Sequence, residues 1–396
     1  MNNKKILVIG GGFLQDFVIK KAVSMGYETI TVDADPNAVG FSHAHKYAVI
    51  DIIDEQACLE YARQEKVNGV ITAATDFSVL STAFVAQELK LPGLKYEVAK
   101  LIKNKFQVRK CLFENKVDDS NQAYEVNINT NIDQLADKIT YPVMVKPCDG
   151  SGSRGASRVD RPEDLYDACQ YAMKGSITNR AEIETFIVGH EYGAESIVVN
   201  GEIHVLGIMK KYMTSPPYYA ELGHVIPSGL SSVIENKAKE CVYKAINALG
   251  INFGSVNMDL LITDDGKVYI IDVGARMGGN MIGPCIIPYG TGVDYVGAMV
   301  QNAVGDDVDL SVHNHSCVAS RLITFNKGIV KKMPDIKNIE KKYDVEIYHH
   351  ISEGMNVCDY HTNLDGCGYI IASGDSVQNA VLRTERSLEM IIKEAF

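Results

Sequence analysis

Two aspartates on neighbouring apolar runs suggest a metal site. Asp259 and Asp272 lie on runs that flank Asp265-Gly266, a dipeptide typical of tight hairpin turns. With that dipeptide as the turn, counting outward places the two aspartates opposite each other, with Cβ atoms roughly 4.5–5.5 Å apart. Alternation adds Gly274 and Arg276 to the same face. The carboxylates repel unless a cation lies between them, which predicts an oxygen-ligated divalent ion, most naturally Mg²⁺. The alternative is a pair of solvated aspartates on an edge hairpin.

A glycine and serine segment after an apolar strand suggests a phosphate site. Gly150 to Gly155 includes Ser151, Gly152 and Ser153, and such turns present successive N–H groups to an anion. It is not a Walker A sequence, because no Gly-Lys-Ser/Thr follows the last glycine. Lys146, just upstream, favours phosphate binding over a flexible surface turn.

Two further carboxylates, Glu184 and Glu191, flank an apolar segment that ends in glycine. Carboxylates near a phosphate loop suit neutral donors such as an adenine amino group or ribose hydroxyl groups. Taken without that context, the two residues would be a solvated pair.

Alternating strands and helices are expected to position these residues. Residues 5–9, 28–32 and 67–73 read as strands of an open parallel sheet, with a helix over 16–25. Ligands in such sheets bind beyond the carboxyl ends of the strands, where Gly10–Gly12 and Asp76 would fall. Gln15 replaces the third glycine of the dinucleotide fingerprint, so nicotinamide binding is disfavoured against a structural or substrate-contacting turn.

Composition limits the classes of function. The chain has 396 residues, of which 46% are hydrophobic and 22% charged, typical of a globular enzyme with two or three domains. A formal net charge of −11 disfavours nucleic acid as a partner. No apolar run is long enough to span a membrane, and the amino terminus does not resemble a signal peptide. Nine cysteines without C-x-x-C spacing indicate reduced thiols, so we expect a cytoplasmic protein.

Taken together, the ordered set from Lys105 to Arg276 resembles the ATP-grasp superfamily over residues 1 to about 305. The resemblance implies that two lysines hold the ATP phosphates under the glycine-rich loop, and that two acidic residues on a hairpin hold Mg²⁺, with Mn²⁺ as a substitute. Arg276 would steady an acyl phosphate and its attacking partner. The implied nucleotide-binding residues are Lys105, Lys146, Ser151, Gly152, Ser153, Glu184, Phe186, Ile187, Glu191 and Leu261, and the implied metal ligands are Asp259 and Asp272.

The chain departs from the superfamily pattern at the metal hairpin. Aspartates stand where glutamates are usual, and Gly274 replaces the asparagine that normally follows the second acidic residue. One oxygen ligand is therefore missing, which would weaken one metal site unless water substitutes.

The segment after Arg276 favours one branch of the superfamily. Its Arg-x-Gly-Gly ending, with Gly278 and Gly279, is similar to L-amino-acid ligases and other carboxylate–amine ligases. That group also implies an acceptor-pocket role for His224, capped by Tyr218 and Tyr219; the alternative is a structural histidine. Asp76 would bind a substrate amino group or, alternatively, cap a helix.

These observations predict an α/β protein with an ATP-grasp fold: a Rossmann-like domain over 1–95, an ATP-grasp domain over 96–305 with a small lobe at about 118–188, and an α+β region over 306–396. The expected activity is ATP-dependent ligation of a small carboxylate to an amine through an acyl phosphate, with ADP as product. A homodimer is compatible with the resemblance. The alternatives are a bicarbonate-using carboxylase of the same fold and a non-catalytic nucleotide-binding protein. The histidines at 313, 315, 349 and 350 are expected at the surface rather than on a metal.

Overall fold

A computed structural model describes residues 4–150, 155–215 and 218–396. The amino-terminal region forms a parallel four-stranded sheet in the order β3-β2-β1-β4, which confirms the predicted open sheet. The glycine turn after β1 is structural, because Gly11 N donates to Asp33 Oδ2 at 2.7 Å. The elements are β1 (Lys5–Ile9), α1 (Phe13–Ser24), β2 (Glu28–Asp33), β3 (Lys46–Val49), α2 (Glu55–Glu65), β4 (Gly69–Ile71) and α3 (Val79–Leu89).

Two helices lead from this sheet to a small antiparallel lobe. Its four strands pair in the order β5-β8-β6-β7, and one helix packs its apolar side on them. The elements are α4 (Tyr96–Ile102), α5 (Lys105–Glu114), β5 (Tyr124–Val126), α6 (Ile132–Ala136), β6 (Val143–Pro147), β7 (Ser157–Val159), α7 (Leu165–Lys174) and β8 (Ala181–Thr185).

The next strands begin a large sheet, which carries Glu191, His224, Asp259 and Asp272. Asn200 and Gly201 both have positive φ, of 52° and 80°, and form the predicted turn between its first two strands. The elements are β9 (His190–Val199), β10 (Glu202–Met213), β11 (Glu221–Ile226), α8 (Ser232–Ala248), β12 (Gly254–Ile262), β13 (Val268–Gly274), α9 (Ile287–Thr291) and α10 (Tyr295–Ala303).

The carboxyl-terminal strands extend the same sheet. Its eight strands run in the order β13-β12-β9-β10-β11-β14-β18-β16, so the proposed boundary near residue 305 lies within one continuous sheet. The elements are β14 (Cys317–Leu322), β15 (Gly328–Ile329), α11 (Ile336–Tyr343), β16 (Glu346–His349), β17 (Asn356–Val357), β18 (Gly368–Gly374) and α12 (Val377–Ala395). This continuity brings residues of the carboxyl-terminal region, His361, Asn363 and Tyr369 among them, to the cavity of the candidate site.

The described residues contain neither a membrane-spanning helix nor a cluster of His, Cys, Asp and Glu metal ligands. Within the described ranges, no helix combines the length and the apolar character needed to cross a membrane. All nine cysteines are free thiols. Among the described residues no three His, Cys, Asp or Glu side chains cluster as metal ligands do, the histidines of the carboxyl-terminal region included.

Candidate active site

The aspartate hairpin has the predicted pairing of Asp259 with Asp272, but its turn and its strand register differ from those predicted. Thr263 N donates to Lys267 O at 3.0 Å, so the turn has three residues, not two, and the prediction of Asp265-Gly266 as the whole turn is wrong. This shifts the register by one. A β-bulge at Ile271 shifts it back, so that Asp259 again faces Asp272. The bulge also turns both Ile271 and Asp272 towards the cavity.

Lysines lie against both aspartates. Lys105, the first residue of α5, forms an ion pair with Asp272, and Lys211 Nζ lies 2.9 Å from Asp259 Oδ1. Although burial opposes the charge on Lys211, the carboxylates around it, Asp259 and Glu221 foremost, raise its pKa well above the usual value. Lys211 was not found from the sequence, although the two lysines that directly follow the apolar run of β10 were a signal for a paired internal charge.

A second charged cluster links the small lobe to the hairpin. Lys146 Nζ lies 2.7 Å from Glu184 Oε1 and 3.5 Å from Glu182 Oε1. Arg109 Nε donates to the other oxygen of Glu184 at 3.1 Å. Burial raises the pKa of Glu182 to about 7; burial also opposes the charge of Glu184, yet Lys146 and Arg109 lower its pKa. Both oxygens of Glu184 are thus engaged by cations.

The same cluster protects the edge of the large sheet. Strand β13 lies at that edge, where backbone groups would otherwise lack partners. Asp118 accepts from Ile270 N at 2.9 Å, Arg109 donates to Ile270 O, and Lys146 donates to Ile271 O at 3.3 Å. Arg109, Asp118 and Glu182 were not found from the sequence.

The segment between β8 and β9 lines the cavity next to this cluster. Phe186, Ile187 and Glu191 face the cavity with Leu261, and Arg158 lies 4.4 Å from the Phe186 ring centroid. Burial is the main cause that raises the pKa of Glu191 to about 7. The predicted loop residues Ser151, Gly152 and Ser153 lie outside the described residues.

Arg276 and Asp76 meet across the boundary between the first sheet and the large one. Arg276 Nε lies 2.8 Å from Asp76 Oδ1, and Nη2 donates to Oδ2 at 3.1 Å. The alternative of Asp76 as a helix cap is wrong, because α3 begins at Val79 with Ser78 as its N-cap residue. The Asp76 carboxylate is instead committed to the arginine.

The two glycines after Arg276 differ in position. Gly279 lines the cavity, and a Cβ atom there would meet only Leu14, at 3.9 Å. Gly278, predicted as a substrate residue, is not among the cavity-lining residues, and its N–H donates to Glu195 Oε1 at 3.0 Å.

The far end of the cavity is polar and includes His224. This side chain is buried on β11, and burial lowers its pKa to about 4, so the ring is neutral near pH 7. Its Nδ1 has no hydrogen-bond partner in the described part of the chain. Tyr218 stacks on His361, with ring centroids 4.1 Å apart, and both line the cavity. The carboxyl-terminal region therefore contributes a wall that the sequence did not predict.

All of these parts surround one cavity of about 930 Å³. Of the predicted site residues, it is lined by Asp76, Lys105, Lys146, Glu184, Phe186, Ile187, Glu191, His224, Asp259, Leu261, Asp272, Arg276 and Gly279. It is also lined by residues that the sequence did not single out, including Lys211, Glu221, Asn257, Asn280, Asn363 and Tyr369.

Comparison with known proteins agrees with this architecture. The family model described as an ATP-grasp domain matches residues 139–284. The uncharacterized protein y4rH of Sinorhizobium fredii is 26% identical over 91% of this chain and 77% of its own length. The formate-dependent phosphoribosylglycinamide formyltransferase of Ignicoccus hospitalis is 24% identical over 69% of this chain and 70% of its own. The crystal structure of L-amino acid ligase from Bacillus licheniformis superposes with a TM-score of 0.84 at 23% identity and covers 98% of both chains.

The chain therefore contains an ATP-grasp domain within an ATP-grasp fold, and the predicted resemblance is confirmed. The relatives with a named activity, a formyltransferase and an L-amino acid ligase, agree with the expectation of an ATP-dependent ligase.

Proposed function

We propose that this protein is an ATP-dependent carboxylate–amine ligase that joins an amino acid or small carboxylic acid to an amine. The observation that carries the proposal is the shared cavity, in which the expected nucleotide residues and a separate polar pocket meet at Asp259, Asp272 and Arg276. A volume of about 930 Å³ is at the upper end of the range of small-molecule sites, so it has room for ATP and a second substrate together.

In this proposal the nucleotide lies along the small lobe. Lys105 and Lys146 bind its phosphates, and each ammonium group leaves a carboxylate to do so. Phe186, Ile187 and Leu261 enclose the adenine, with the backbone between β8 and β9 as its polar partner. Glu191 accepts a hydrogen bond from a ribose hydroxyl group.

The hairpin fits a divalent cation such as Mg²⁺. Asp259 and Asp272 are opposed on one face, and each already attracts an ammonium group, which shows that the site favours positive charge. When bound, the ion would neutralise charge on the phosphates and on the transferred phosphoryl group.

The residues then serve two successive displacements. An oxygen of the substrate carboxylate attacks the γ-phosphorus, the bond from phosphorus to the ADP oxygen breaks, and an acyl phosphate forms. The nitrogen of the amine then attacks the acyl carbon, the carbon–oxygen bond to phosphate breaks, and the nitrogen releases a proton. Arg276 is placed to stabilise the acyl phosphate, and Asp76 is a positioning residue that holds its guanidinium.

The polar end of the cavity is proposed to bind the organic substrates. His224 lines this end of the cavity, and its neutral ring can accept a hydrogen bond from a substrate N–H group at one nitrogen. Gly279 leaves open space beside Arg276. Tyr218 and Tyr219 close this end against the carboxyl-terminal region.

The test is phosphate release from Mg·ATP with amino acids and small carboxylic acids, offered singly and in pairs, with Asp272→Asn as control. We expect release that requires two organic partners and that is lost in the variant. Release with bicarbonate alone would replace the proposal with a carboxylase. Tight ATP binding without ADP formation under every mixture would indicate a non-catalytic nucleotide-binding protein.

A further inference from the structure

The second strand of the hairpin has no polar side chain two residues after Asp272, because Gly274 stands there. A Cβ atom on Gly274 would lie 2.9 Å from Cζ of Arg276 and 3.1 Å from Nη1 and Nη2. The guanidinium therefore takes the space that a side chain at this position would need. Any further protein oxygen beside the two aspartates must come from another strand.

Asn257 lies where that oxygen is needed. It pairs with Gly274 directly across the hairpin. On its own strand it precedes Asp259 by two residues, so both side chains point to one face. Both line the cavity, as Leu261 does two residues further on. A carboxamide thus stands beside the two carboxylates, on the strand opposite the missing side chain.

Glu195 determines which end of this carboxamide faces the cavity. Asn257 Nδ2 donates to Glu195 Oε2 at 2.9 Å. Burial raises the pKa of Glu195 to about 7, and above that pH its ionised carboxylate only accepts hydrogen bonds, so the amide nitrogen faces Glu195 and the oxygen points away. Asn257 Oδ1 accepts from Arg276 Nη1 at 3.4 Å, a long contact on the cavity side.

The Glu195 carboxylate is itself fixed and fully buried. Its Oε1 accepts from Tyr295 Oη at 2.6 Å and from Gly278 N at 3.0 Å. A Cβ atom on Gly278 would lie 2.8 Å from Asn257 Nδ2 and 3.0 Å from Glu195 Oε2. Gly278 therefore leaves room for this network, and a fully bonded buried network of this kind holds one side-chain arrangement.

We propose that Asn257 Oδ1 is the third protein oxygen ligand of the divalent cation, and that Glu195 is a positioning residue that aims it. The inference rests on the proposed function in taking Asp259 and Asp272 as the other two ligands. An amide oxygen is a hard donor of the type that Mg²⁺ and Mn²⁺ accept. The chain thus supplies from the first strand the oxygen that Gly274 cannot supply from the second.

The test measures Mn²⁺ binding to the full chain in the presence of ADP, without turnover. Electron paramagnetic resonance gives the affinity, and water-proton relaxation gives the number of water molecules on the ion. Asn257→Ala is expected to weaken Mn²⁺ binding by about tenfold and to add about one bound water in place of the amide oxygen. Met258→Leu, on the opposite face of the same strand, is the matched control and should leave both values unchanged.

Glu195→Gln provides a second variant of similar size, which decides the question if Asn257→Ala does not fold. A glutamine amide both donates and accepts, so the Asn257 amide is free to turn, and we expect a smaller but measurable loss of Mn²⁺ affinity. When Asp272→Asn weakens Mn²⁺ binding, unchanged affinity and water number in Asn257→Ala would overturn the inference. Unchanged affinity in Glu195→Gln would overturn it as well. If Asp272→Asn binds Mn²⁺ as the unaltered protein does, the metal hairpin of the proposed function fails and the inference fails with it.

Discussion

The two ends of the cavity handle charge in different ways. At the nucleotide end, Lys146 is enclosed by Glu182 and Glu184, and all three side chains are nearly excluded from solvent. At the end proposed to bind the substrates, Glu221 forms an ion pair with Lys211 and is also bonded by amide groups: Asn363 Nδ2 donates to Glu221 Oε2 at 3.3 Å, and Asn280 donates to the same oxygen. Burial opposes the charge of Glu221, but Lys211 and its other partners lower its pKa to about 2.

The difference indicates at which end of the cavity a substitution would destabilise the fold and at which end the side chains can change more freely. Removing one partner from a buried ion pair leaves an uncompensated charge, which costs about 3–5 kcal/mol. The end proposed to bind the nucleotide is therefore constrained by folding as well as by the proposed ATP binding. The end proposed to bind the substrates also draws on loop residues such as His361 and Asn363, where substitution changes the pocket without breaking a buried ion pair. Substrate choice is expected to reside there.

The largest expected effect is a difference in stability between variants of Lys146 and Lys105. Lys146→Met leaves Glu182 and Glu184 without their ammonium partner, so the free energy of unfolding should fall by about 3–5 kcal/mol. Lys105→Met is the matched control, because its partner Asp272 is 43% exposed and the pair should contribute less than about 1 kcal/mol. Urea denaturation measures both. Equal losses would show that the two phosphate lysines do not differ in this way.

A smaller effect, on the rate of phosphate release, is expected at the Asp76–Arg276 ion pair, where the two ends of the cavity meet. Asp76→Asn removes the charge that holds Arg276, which should lower kcat for phosphate release about 10- to 100-fold, the loss of one charged hydrogen bond. The KM for ATP should stay the same, because both oxygens of the Asp76 carboxylate contact Arg276 and not a lysine of the proposed nucleotide site. Combining the variant with Arg276→Lys should give less than the sum of the two effects. A raised KM for ATP with unchanged kcat would place Asp76 at the nucleotide end instead.

The smallest effect concerns Glu191 and is a dependence on pH. Burial raises the pKa of Glu191 to about 7, so its carboxylate is ionised above that pH and protonated below it. Since the ionised form is the better acceptor for a ribose hydroxyl group, the KM for ATP should rise as the pH falls from 8 to 6. Glu191→Gln should weaken ATP binding about fivefold at pH 8 and should remove this dependence. An unaltered pH profile in the variant would exclude Glu191 as the titrating group.

The aspartate hairpin shows how much of a structure a local sequence pattern can predict. The sequence predicted that Asp259 faces Asp272, and this is confirmed, although the turn has one residue more than predicted and a bulge at Ile271 compensates. Turn length and bulges depend on hydrogen bonds that spacing does not reveal. The facing pair is preserved because the turn adds one residue to the first strand's side of the count and the bulge adds one to the second strand's side.

Other site residues could not be found in this way. Lys211, Arg109 and Glu195 are charged residues within buried elements, and each acquires meaning only from partners far away in the chain. Arg109 meets Glu184 and Ile270, and Lys211 meets Asp259 and Glu221. A sequence shows that a charge interrupts an apolar pattern, but not which opposite charge will neutralise it.

The sequence by itself determined the parallel first sheet, the aspartate hairpin and the order of the nucleotide residues, because strand alternation and turn chemistry act over a few neighbours. The tertiary structure alone decided that Asp76 binds Arg276, that Gly278 packs on Glu195, and that the carboxyl-terminal region walls the cavity. These contacts join segments that are far apart in the chain, by 200 residues in the case of Asp76 and Arg276. The carboxyl-terminal wall exists because one eight-stranded sheet runs through both regions, and no local preference specifies how its strands are ordered.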